Sequence, residues 1–201
     1  MMLAKSDRRP LAGGLRRAVF LDRDGTINVE KDYLCRPEEF TFIPGAPQAI
    51  RALKDAGFLV IVVSNQSGVA RGYFGPAEVE ALHAHMQSEL APFATAIDAF
   101  YYCPHHPLAG VAPYRVDCDC RKGRPGMLLQ AAREYGIDLS RSFMIGDKAA
   151  DIEAGQAAGC TSVLVLTGYG AETALKTNLT PFAICADLGA AAAAILHYPE
   201  K

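Results

Sequence analysis

The apolar residues of this chain fall into short runs rich in β-forming residues, separated by stretches with helical spacing. The runs predict six strands, at 18–21, 58–63, 97–102, 142–145, 162–166 and 182–185. The stretches predict helices at 47–56, 76–90, 125–135, 148–158 and 188–196. Strands that alternate with helices form parallel sheets covered on both faces. The pattern therefore predicts an α/β fold with a doubly wound, mainly parallel, Rossmann-like sheet of six strands.

The helix predicted at 76–90 shows which of its faces is buried. Its apolar residues recur three or four positions apart, at Val79, Leu82, Met86 and Leu90. This spacing turns one stripe of the helix toward the sheet. His83 and His85 point to different faces, so we expect both at the surface rather than at a shared metal site.

The chain length of 201 residues favours one domain. Residues 1–17 carry five Lys or Arg residues and no continuous apolar run, which predicts a flexible tail rather than a secretory signal. Residues 18–201 are then the single domain. Because segments 25–47 and 68–97 are too short for a separate cap domain, we expect an open site.

The composition limits the partners that the protein can bind. Half of the residues are hydrophobic, 21% are charged and the net charge is -2, which indicates a globular protein without a nucleic-acid or anionic membrane partner. No apolar run approaches the ~18 residues of a membrane span. We expect a cytoplasmic monomer that acts on a small molecule.

Polar residues follow four of the predicted strands. Asp22 and Asp24 come after the first, 64–68 after the second, Cys103 and His105 after the third, and 146–148 after the fourth. In open parallel sheets, ligands bind beyond the carboxyl ends of the strands. The sequence therefore predicts one functional site at this edge.

Asp22 and Asp24 suit phosphoryl transfer. Residues two apart on an extended segment point the same way, and Gly25 lets the chain turn sharply after them. Asp22 can then be a nucleophile and Asp24 its proton-transfer partner. On its own, the Asp24-Gly25 pair is equally compatible with an Asx turn.

An attacking carboxylate needs cationic help. A dianionic phosphate at about 4 Å repels it by roughly 8 kcal/mol at an effective dielectric constant near 20. Asp147, together with Asp22 and a backbone carbonyl, can hold Mg²⁺, which prefers hard oxygen ligands. The alternative role for Asp147 is a helix N-cap.

Other residues offer phosphate contacts. Ser64 and Asn65 provide a hydroxyl and an amide, Lys122 a point charge and Arg121 a planar fork. A strand-end turn at 64–65 and a solvated basic turn at 121–124 are the alternatives.

Three of the six cysteines crowd near one histidine, which favours a metal over a disulfide and suits a reducing compartment. These side chains are Cys103, His105, Cys118 and Cys120. They match a closed tetrahedral zinc site, with His106 as a competing ligand. The zinc would stiffen the loop at 103–120, directly before Arg121 and Lys122.

Together these motifs resemble those of the haloacid dehalogenase superfamily of aspartate-nucleophile phosphatases, over nearly all of the chain after Arg17. The motifs are Asp22-Arg-Asp24-Gly-Thr-Ile-Asn, Ser64-Asn65-Gln-Ser-Gly, Lys122, and Gly146-Asp147-Lys148 with Asp151. The cysteine cluster and Arg121-Lys122 are similar to those of zinc-loop phosphatases, among which sugar-bisphosphate and histidinol-phosphate phosphatases remain alternatives.

The resemblance implies roles for these residues. Asp22 forms an aspartyl-phosphate, while Asp24 first protonates the leaving oxygen and then activates water. Mg²⁺ is held by Asp22, the backbone carbonyl of Asp24, and Asp147, and the phosphoryl group by Ser64, Asn65 and Lys122. Lys148 orients Asp22 or contacts substrate. Residues implied to bind the substrate are Glu30, Lys31, Asp32, Tyr33, Asn65, Gln66, Ser67, Gly68, Arg121, Lys122 and Lys148.

Two other classes of protein compete with this interpretation. A phosphorylation-controlled signalling module also accepts phosphate on an aspartate, but Asp24 would hasten hydrolysis of the acyl phosphate. A zinc ribbon on an inactive enzyme would not need the intact set of carboxylates. The sequence therefore favours a magnesium-dependent phosphatase of small phosphorylated sugars.

Overall fold

The computed structural model describes residues 14–176 and 178–198. Its strands form one sheet in the order β3-β2-β1-β4-β5-β6, and every pairing is parallel. The strands are β1 (Ala18–Leu21), β2 (Leu59–Asn65), β3 (Ala99–Cys103), β4 (Phe143–Gly146), β5 (Thr161–Val165) and β6 (Ala183–Cys185). This confirms the predicted α/β fold and its doubly wound sheet.

Seven α-helices lie in the described part of the chain: α1 (Ala46–Asp55), α2 (Ser67–Arg71), α3 (Pro76–Leu90), α4 (Gly126–Tyr135), α5 (Ala149–Ala158), α6 (Gly170–Lys176) and α7 (Leu188–Leu196). Short 3₁₀ helices cover Pro37–Glu39, Ala91–Phe93 and Leu139–Arg141. The five predicted helices match α1, α3, α4, α5 and α7 to within one residue at each end. Helices α2 and α6 were missed because they are too short to show a 3.6-residue period.

The sheet separates two apolar layers. Val19 and Leu21 of β1 pack with α1, α3 and α7, whereas Ala18 and Phe20 pack with α4 and α5 on the opposite face. Successive side chains of a strand point to opposite faces, so both faces of this central strand are buried. The carboxyl ends of the strands remain open at one edge.

The predicted tail ends earlier than residue 17. The backbone of Arg16 bonds to Gly136 and Asp138, at 2.8 Å each. The guanidinium of Arg17 lies 4.4 Å over the ring of Phe58. These two residues therefore belong to the domain, while residues 1–13 of the predicted tail lie outside the described residues.

The expectation that both histidines of α3 lie at the surface is wrong for His83. Its side chain stacks on Phe100 of β3, with ring centroids 4.5 Å apart, and only 4% of the residue is exposed. Burial lowers the pKa of His83 to about 3. His85 is partly buried against Phe40.

Within residues 14–176 and 178–198, no helix combines the length and apolarity needed to cross a bilayer.

Candidate active site

Three buried carboxylates meet at the carboxyl edge of the sheet. Asp22 follows β1, Asp147 follows β4, and Asp151 lies in the first turn of α5. Their nearest oxygens all lie within 4.8 Å of one another. Like charges this close repel strongly, so the cluster needs a cation.

One carboxylate oxygen of Asp147 accepts a hydrogen bond, and the other has no hydrogen-bond partner among the described residues. Oδ2 accepts the backbone N–H of Tyr169 at 2.8 Å, while Oδ1 is buried without a partner among the described residues. A Cβ added at Gly25 or at Gly168 would lie 2.3 Å from Oδ2, so only glycine fits on either side. Burial and then the charge of Asp22 raise the pKa of Asp147 to about 8. These observations fit a hard divalent cation such as Mg²⁺.

The ammonium of Lys122 pairs with two carboxylates of the same cluster. Its Nζ lies 2.6 Å from Oδ1 of Asp22 and 2.7 Å from Oδ1 of Asp151. Burial alone would lower the pKa of Lys122, but Asp151 and Asp22 outweigh it and raise the pKa. The ammonium form is therefore maintained beside the predicted nucleophile.

Asn65 fixes the backbone of Lys122. Its Oδ1 accepts the N–H of Lys122 at 2.9 Å, and its Nδ2 donates to the carbonyl of Lys122 at 3.3 Å. The amide thus acts as a clamp between β2 and the 121–124 turn. The sequence predicted that Asn65 and Lys122 share a site but not this direct contact.

Three side chains donate hydrogen bonds to the carboxylate of Asp24. The Arg23 guanidinium reaches both carboxylate oxygens, from Nε at 3.1 Å and from Nη2 at 2.8 Å. Asn28 donates to Asp24 at 3.0 Å and Gln66 at 3.1 Å. Burial acts to raise the pKa of Asp24, but Arg23 and the two amides lower it below its usual range. The sequence assigned no role to Arg23 or Asn28, because a polar residue beside a strand end gives no sign of burial.

The residues at the end of β2 and directly after it pack tightly. The hydroxyl of Ser64 accepts a hydrogen bond from Nε2 of Gln66 at 2.8 Å, so Gln66 joins Ser64 to Asp24. Ser67 and Gly68 begin α2. A Cβ on Gly68 would lie 2.3 Å from the ring of Phe74, so Gly68 offers a contact only through its backbone.

The segment 30–33 is tied to the edge of the sheet. Oε2 of Glu30 pairs with Nζ of Lys148 at 2.9 Å. The Tyr169 hydroxyl donates to Asp32 at 2.8 Å, and the Lys148 ammonium lies 4.7 Å over the Tyr169 ring. The ammonium of Lys31 does not join these contacts, since it donates to the carbonyl of Glu39 at 2.6 Å.

The backbone of this segment is unusual. Asp32 and Tyr33 adopt left-handed conformations, with φ of 44° and 67°. Such conformations are uncommon outside glycine and need support from their surroundings. Tyr33 receives it by packing edge-on against Tyr73, with ring centroids 4.9 Å apart.

The structure brings the four predicted zinc ligands together. The ligand atoms of Cys103, His105, Cys118 and Cys120 all lie within 4.8 Å of one another. The three Sγ–Sγ separations are 3.1, 3.3 and 3.5 Å, and the described cysteines form no disulfide. Three thiols and one imidazole in this arrangement suit tetrahedral zinc.

His106 lies outside that cluster, contrary to the alternative ligand set. Its Nδ1 accepts the backbone N–H groups of Leu108 and Ala109 instead. Arg121 is fixed to the cluster, because its Nη1 donates to the carbonyl of His105 at 3.1 Å.

The sequence is similar to those of known phosphatases. Residues 119–191 match the HAD-hydrolase-like family. The D-glycero-beta-D-manno-heptose-1,7-bisphosphate 7-phosphatase of Escherichia coli K12 is 50% identical over 152 residues, which cover 75% of this chain and 80% of that protein. The protein of the same name from Pasteurella multocida Pm70 is 47% identical over 155 residues, covering 77% and 84%.

Solved structures give the same result. The D,D-heptose 1,7-bisphosphate phosphatase from B. bronchiseptica, complexed with magnesium and phosphate, matches with a TM-score of 0.81 at 38% identity, over 90% of this chain and 98% of that chain. A putative HAD-like phosphatase from Mesorhizobium loti matches with a TM-score of 0.80 at 36% identity, covering 96% and 93%. The chain therefore belongs to the haloacid dehalogenase-like family of phosphatases.

Proposed function

We propose that this protein is a magnesium-dependent phosphomonoesterase that removes the 7-phosphate of D-glycero-D-manno-heptose 1,7-bisphosphate. The observation that carries the reaction is the cluster of Asp22, Asp147 and Asp151 around the buried ammonium of Lys122, with Asp24 two residues from Asp22. The substrate is supported by the names of relatives at 47–50% identity.

In the first step, a carboxylate oxygen of Asp22 attacks phosphorus. The bond between phosphorus and the sugar oxygen breaks, and Asp24 gives its proton to that oxygen. Asp24 is held ionised by Arg23, and it gains the proton it needs when a dianionic phosphate arrives beside it, because a nearby negative charge raises the pKa of a carboxyl group.

In the second step, Asp24 takes a proton from water, and the resulting hydroxide attacks phosphorus. The bond to Asp22 breaks, which releases inorganic phosphate and restores the carboxylate. Lys122 and the Ser64 hydroxyl stabilise the charge on the phosphoryl oxygens in both steps.

The metal ion supplies charge. Asp22, the carbonyl of Asp24 and the bare Oδ1 of Asp147 would hold Mg²⁺, which offsets the repulsion between nucleophile and phosphate. Asp151 lies in the same cluster, but its pairing with Lys122 makes it a support for the ammonium.

Zinc has a structural role in this proposal. Cys103, His105, Cys118 and Cys120 leave no open position for a reacting water, so the zinc orders the loop that carries Arg121 toward the sugar. Thiolate ligands need a reducing compartment, and we place a monomeric enzyme in the cytoplasm.

The substrate is tested by measuring kcat/KM with Mg²⁺ for both anomers of the heptose 1,7-bisphosphate, histidinol phosphate and fructose 1,6-bisphosphate. We expect one heptose anomer to be preferred by at least about tenfold. Preference for histidinol phosphate, or uniformly weak hydrolysis, would contradict the substrate assignment.

The nucleophile is tested with Asp22→Asn. We expect turnover to fall by at least about 10³-fold, since the amide cannot attack phosphorus, with the circular dichroism spectrum and zinc content unchanged. Activity near that of the wild type would overturn the assignment, and a stable phospho-Asp22 without turnover would favour a signalling module.

A further inference from the structure

Two side chains beside the active site present hydrogen-bond donors to each other. Nη2 of Arg71, the last residue of α2, lies 3.5 Å from Nε2 of His106. Nδ1 of His106 accepts backbone N–H groups from Leu108 and Ala109, at 3.2 and 2.9 Å. A ring nitrogen that accepts hydrogen bonds carries no proton, so the ring proton sits on Nε2. Arg71 and His106 therefore both donate, and the space between them lacks an acceptor.

Arg71 has a further hydrogen-bond donor that no described residue accepts. Its Nε is buried and finds no hydrogen-bond partner in the described part of the chain. None of the ion pairs among residues 14–176 and 178–198 involves Arg71. Its guanidinium instead lies 5.9 Å from the ring of Tyr33. A buried donor on an unpaired cation indicates that an anion is the missing partner.

The loop that carries His106 is docked firmly on α2. The N–H of Val111 donates to the carbonyl of Ala70, which directly precedes Arg71. Gly110 adopts a φ of 85°, and a Cβ there would lie 1.8 Å from the same carbonyl oxygen. Only glycine permits this close approach, so the spacing between Arg71 and His106 is set by the backbone.

The pair adjoins residues that the family resemblance implies to bind the substrate. Arg121 donates to the carbonyl of His105, next to His106, and Lys122 pairs with Asp22. Tyr33 links the other side of Arg71 to the 30–33 segment. The pair is thus connected through His105 to Arg121, and through Tyr33 to the 30–33 segment.

We propose that Arg71 and His106 form a second anion subsite, which binds the non-reacting phosphate of a sugar bisphosphate while Asp22 attacks the other phosphate. One phosphate oxygen accepts from both Nη2 and Nε2, and Nε of Arg71 offers a third donor. This inference rests on the proposed function and adds the residues that distinguish a bisphosphate from a monophosphate.

The test compares heptose 1,7-bisphosphate with heptose 7-phosphate as substrates of Arg71→Met. We expect KM for the bisphosphate to rise about 10- to 100-fold, because the variant loses a charge-assisted hydrogen bond to the non-reacting phosphate. The value of kcat should stay within about twofold of that of the wild type. KM for the monophosphate should stay within about twofold. Arg71→Lys should retain part of the affinity, and Arg133→Met, which removes an exposed guanidinium on α4, should behave as the wild type.

Equal increases of KM for both substrates would overturn the subsite and leave the proposed function intact. If the wild type hydrolyses neither heptose compound, the proposed function is wrong. The anion subsite is then tested separately, by the binding of inorganic phosphate. The His106 ring resonances of the zinc-loaded protein are then followed by NMR during titration with inorganic phosphate. The Nε2 resonance should shift in the wild type and in Arg133→Met but not in Arg71→Met; no shift in the wild type would overturn the subsite.

Discussion

Arg23 is the largest fully buried side chain of the described residues, and its main partner is Asp24. Removing one partner of a buried ion pair leaves the other charge uncompensated. Because the Asp24 side chain is still 14% exposed, we expect Arg23→Met to lower the free energy of unfolding by about 3 kcal/mol, the lower end for such pairs. Urea denaturation measures this change.

A double-mutant cycle separates pairing from packing. In an Asp24→Asn background, Arg23→Met should lower the free energy of unfolding by at least about 1 kcal/mol less than in the wild type. The reason is that no buried carboxylate is left without its cationic partner. Equal costs in the two backgrounds would show that Arg23 acts only by filling space.

The raised pKa of Asp147 predicts a pH-dependent response to metal. Its pKa is 3.8 in the unfolded chain and about 8 in the metal-free fold, so folding takes up a proton and this carboxyl stabilises the fold less as pH rises from 3.8 to 8. Mg²⁺ must displace that proton, so it binds more tightly at higher pH. We expect Mg²⁺ to raise Tm more at pH 8 than at pH 6.

Thermal unfolding with and without Mg²⁺ at the two pH values measures this difference. Asp147→Asn is the control, since it should make the metal-free protein less sensitive to pH and abolish most of the Mg²⁺ effect. A larger Mg²⁺ effect at pH 6 would contradict the assignment of Asp147 as a ligand.

Single residues differ in how far their positions could be predicted. Asp22 and Asp147 each follow a buried strand. Because β1 and β4 run parallel, their carboxyl ends place both residues at the same edge of the sheet. The burial of Arg23 and the backbone clamp of Asn65 depend on tertiary packing, which a strand-end motif does not encode. Lys31 was implied to bind the sugar by the family resemblance, and in the structure its ammonium donates to the carbonyl of Glu39.

At the scale of elements, the 103–120 loop is held from two sides, by the cysteine cluster and by α2. Removing zinc with a chelator should therefore raise KM for the bisphosphate at least about tenfold more than it lowers kcat, because the carboxylates of Asp22 and Asp147 do not depend on the loop. Steady-state kinetics of the metal-depleted protein, with Mg²⁺ restored, measure both values. A larger fall in kcat than rise in KM would contradict this role.

Gly110→Ala tests the second attachment alone. The new Cβ meets the carbonyl of Ala70 and strains a φ of 85°, so we expect the loop to leave α2 while zinc stays bound. KM should rise and zinc content should not change. Gly136→Ala is a matched control, since that position also has positive φ but open space around it.

The sequence predicted the long elements better than the short ones. Helix α3 matches to the residue because its apolar positions repeat over several turns, and α7 matches because its run of alanines favours a helix. Helices α2 and α6 contain five and seven residues, and glycines in or beside them hide the pattern. The contact of α2 with the cysteine loop depends on Gly110, whose role becomes visible only in three dimensions.

At the scale of the whole molecule, the strand order places every chemical group at one edge. β1 lies between β2 and β4, so Asp22 stands between Ser64 and Asp147. Alternation of strands and helices predicted the doubly wound parallel sheet and the shared edge, but the strand order itself comes from the structure. In residues 14–176 and 178–198 the elements belong to one sheet and its covering helices, and our proposals assign specificity to the 30–33 segment, the cysteine loop and the end of α2.

We propose that Asp22 carries the phosphoryl group from the sugar to water. This proposal is tested most directly by mixing the enzyme and Mg²⁺ with bisphosphate labelled with ³²P at the 7-phosphate, quenching with acid within the first turnover, and mapping labelled peptides. We predict label on the peptide that contains Asp22, forming before free phosphate and lost as phosphate is released. Free phosphate appearing with no label on Asp22 at any time would show that Asp22 is not the nucleophile.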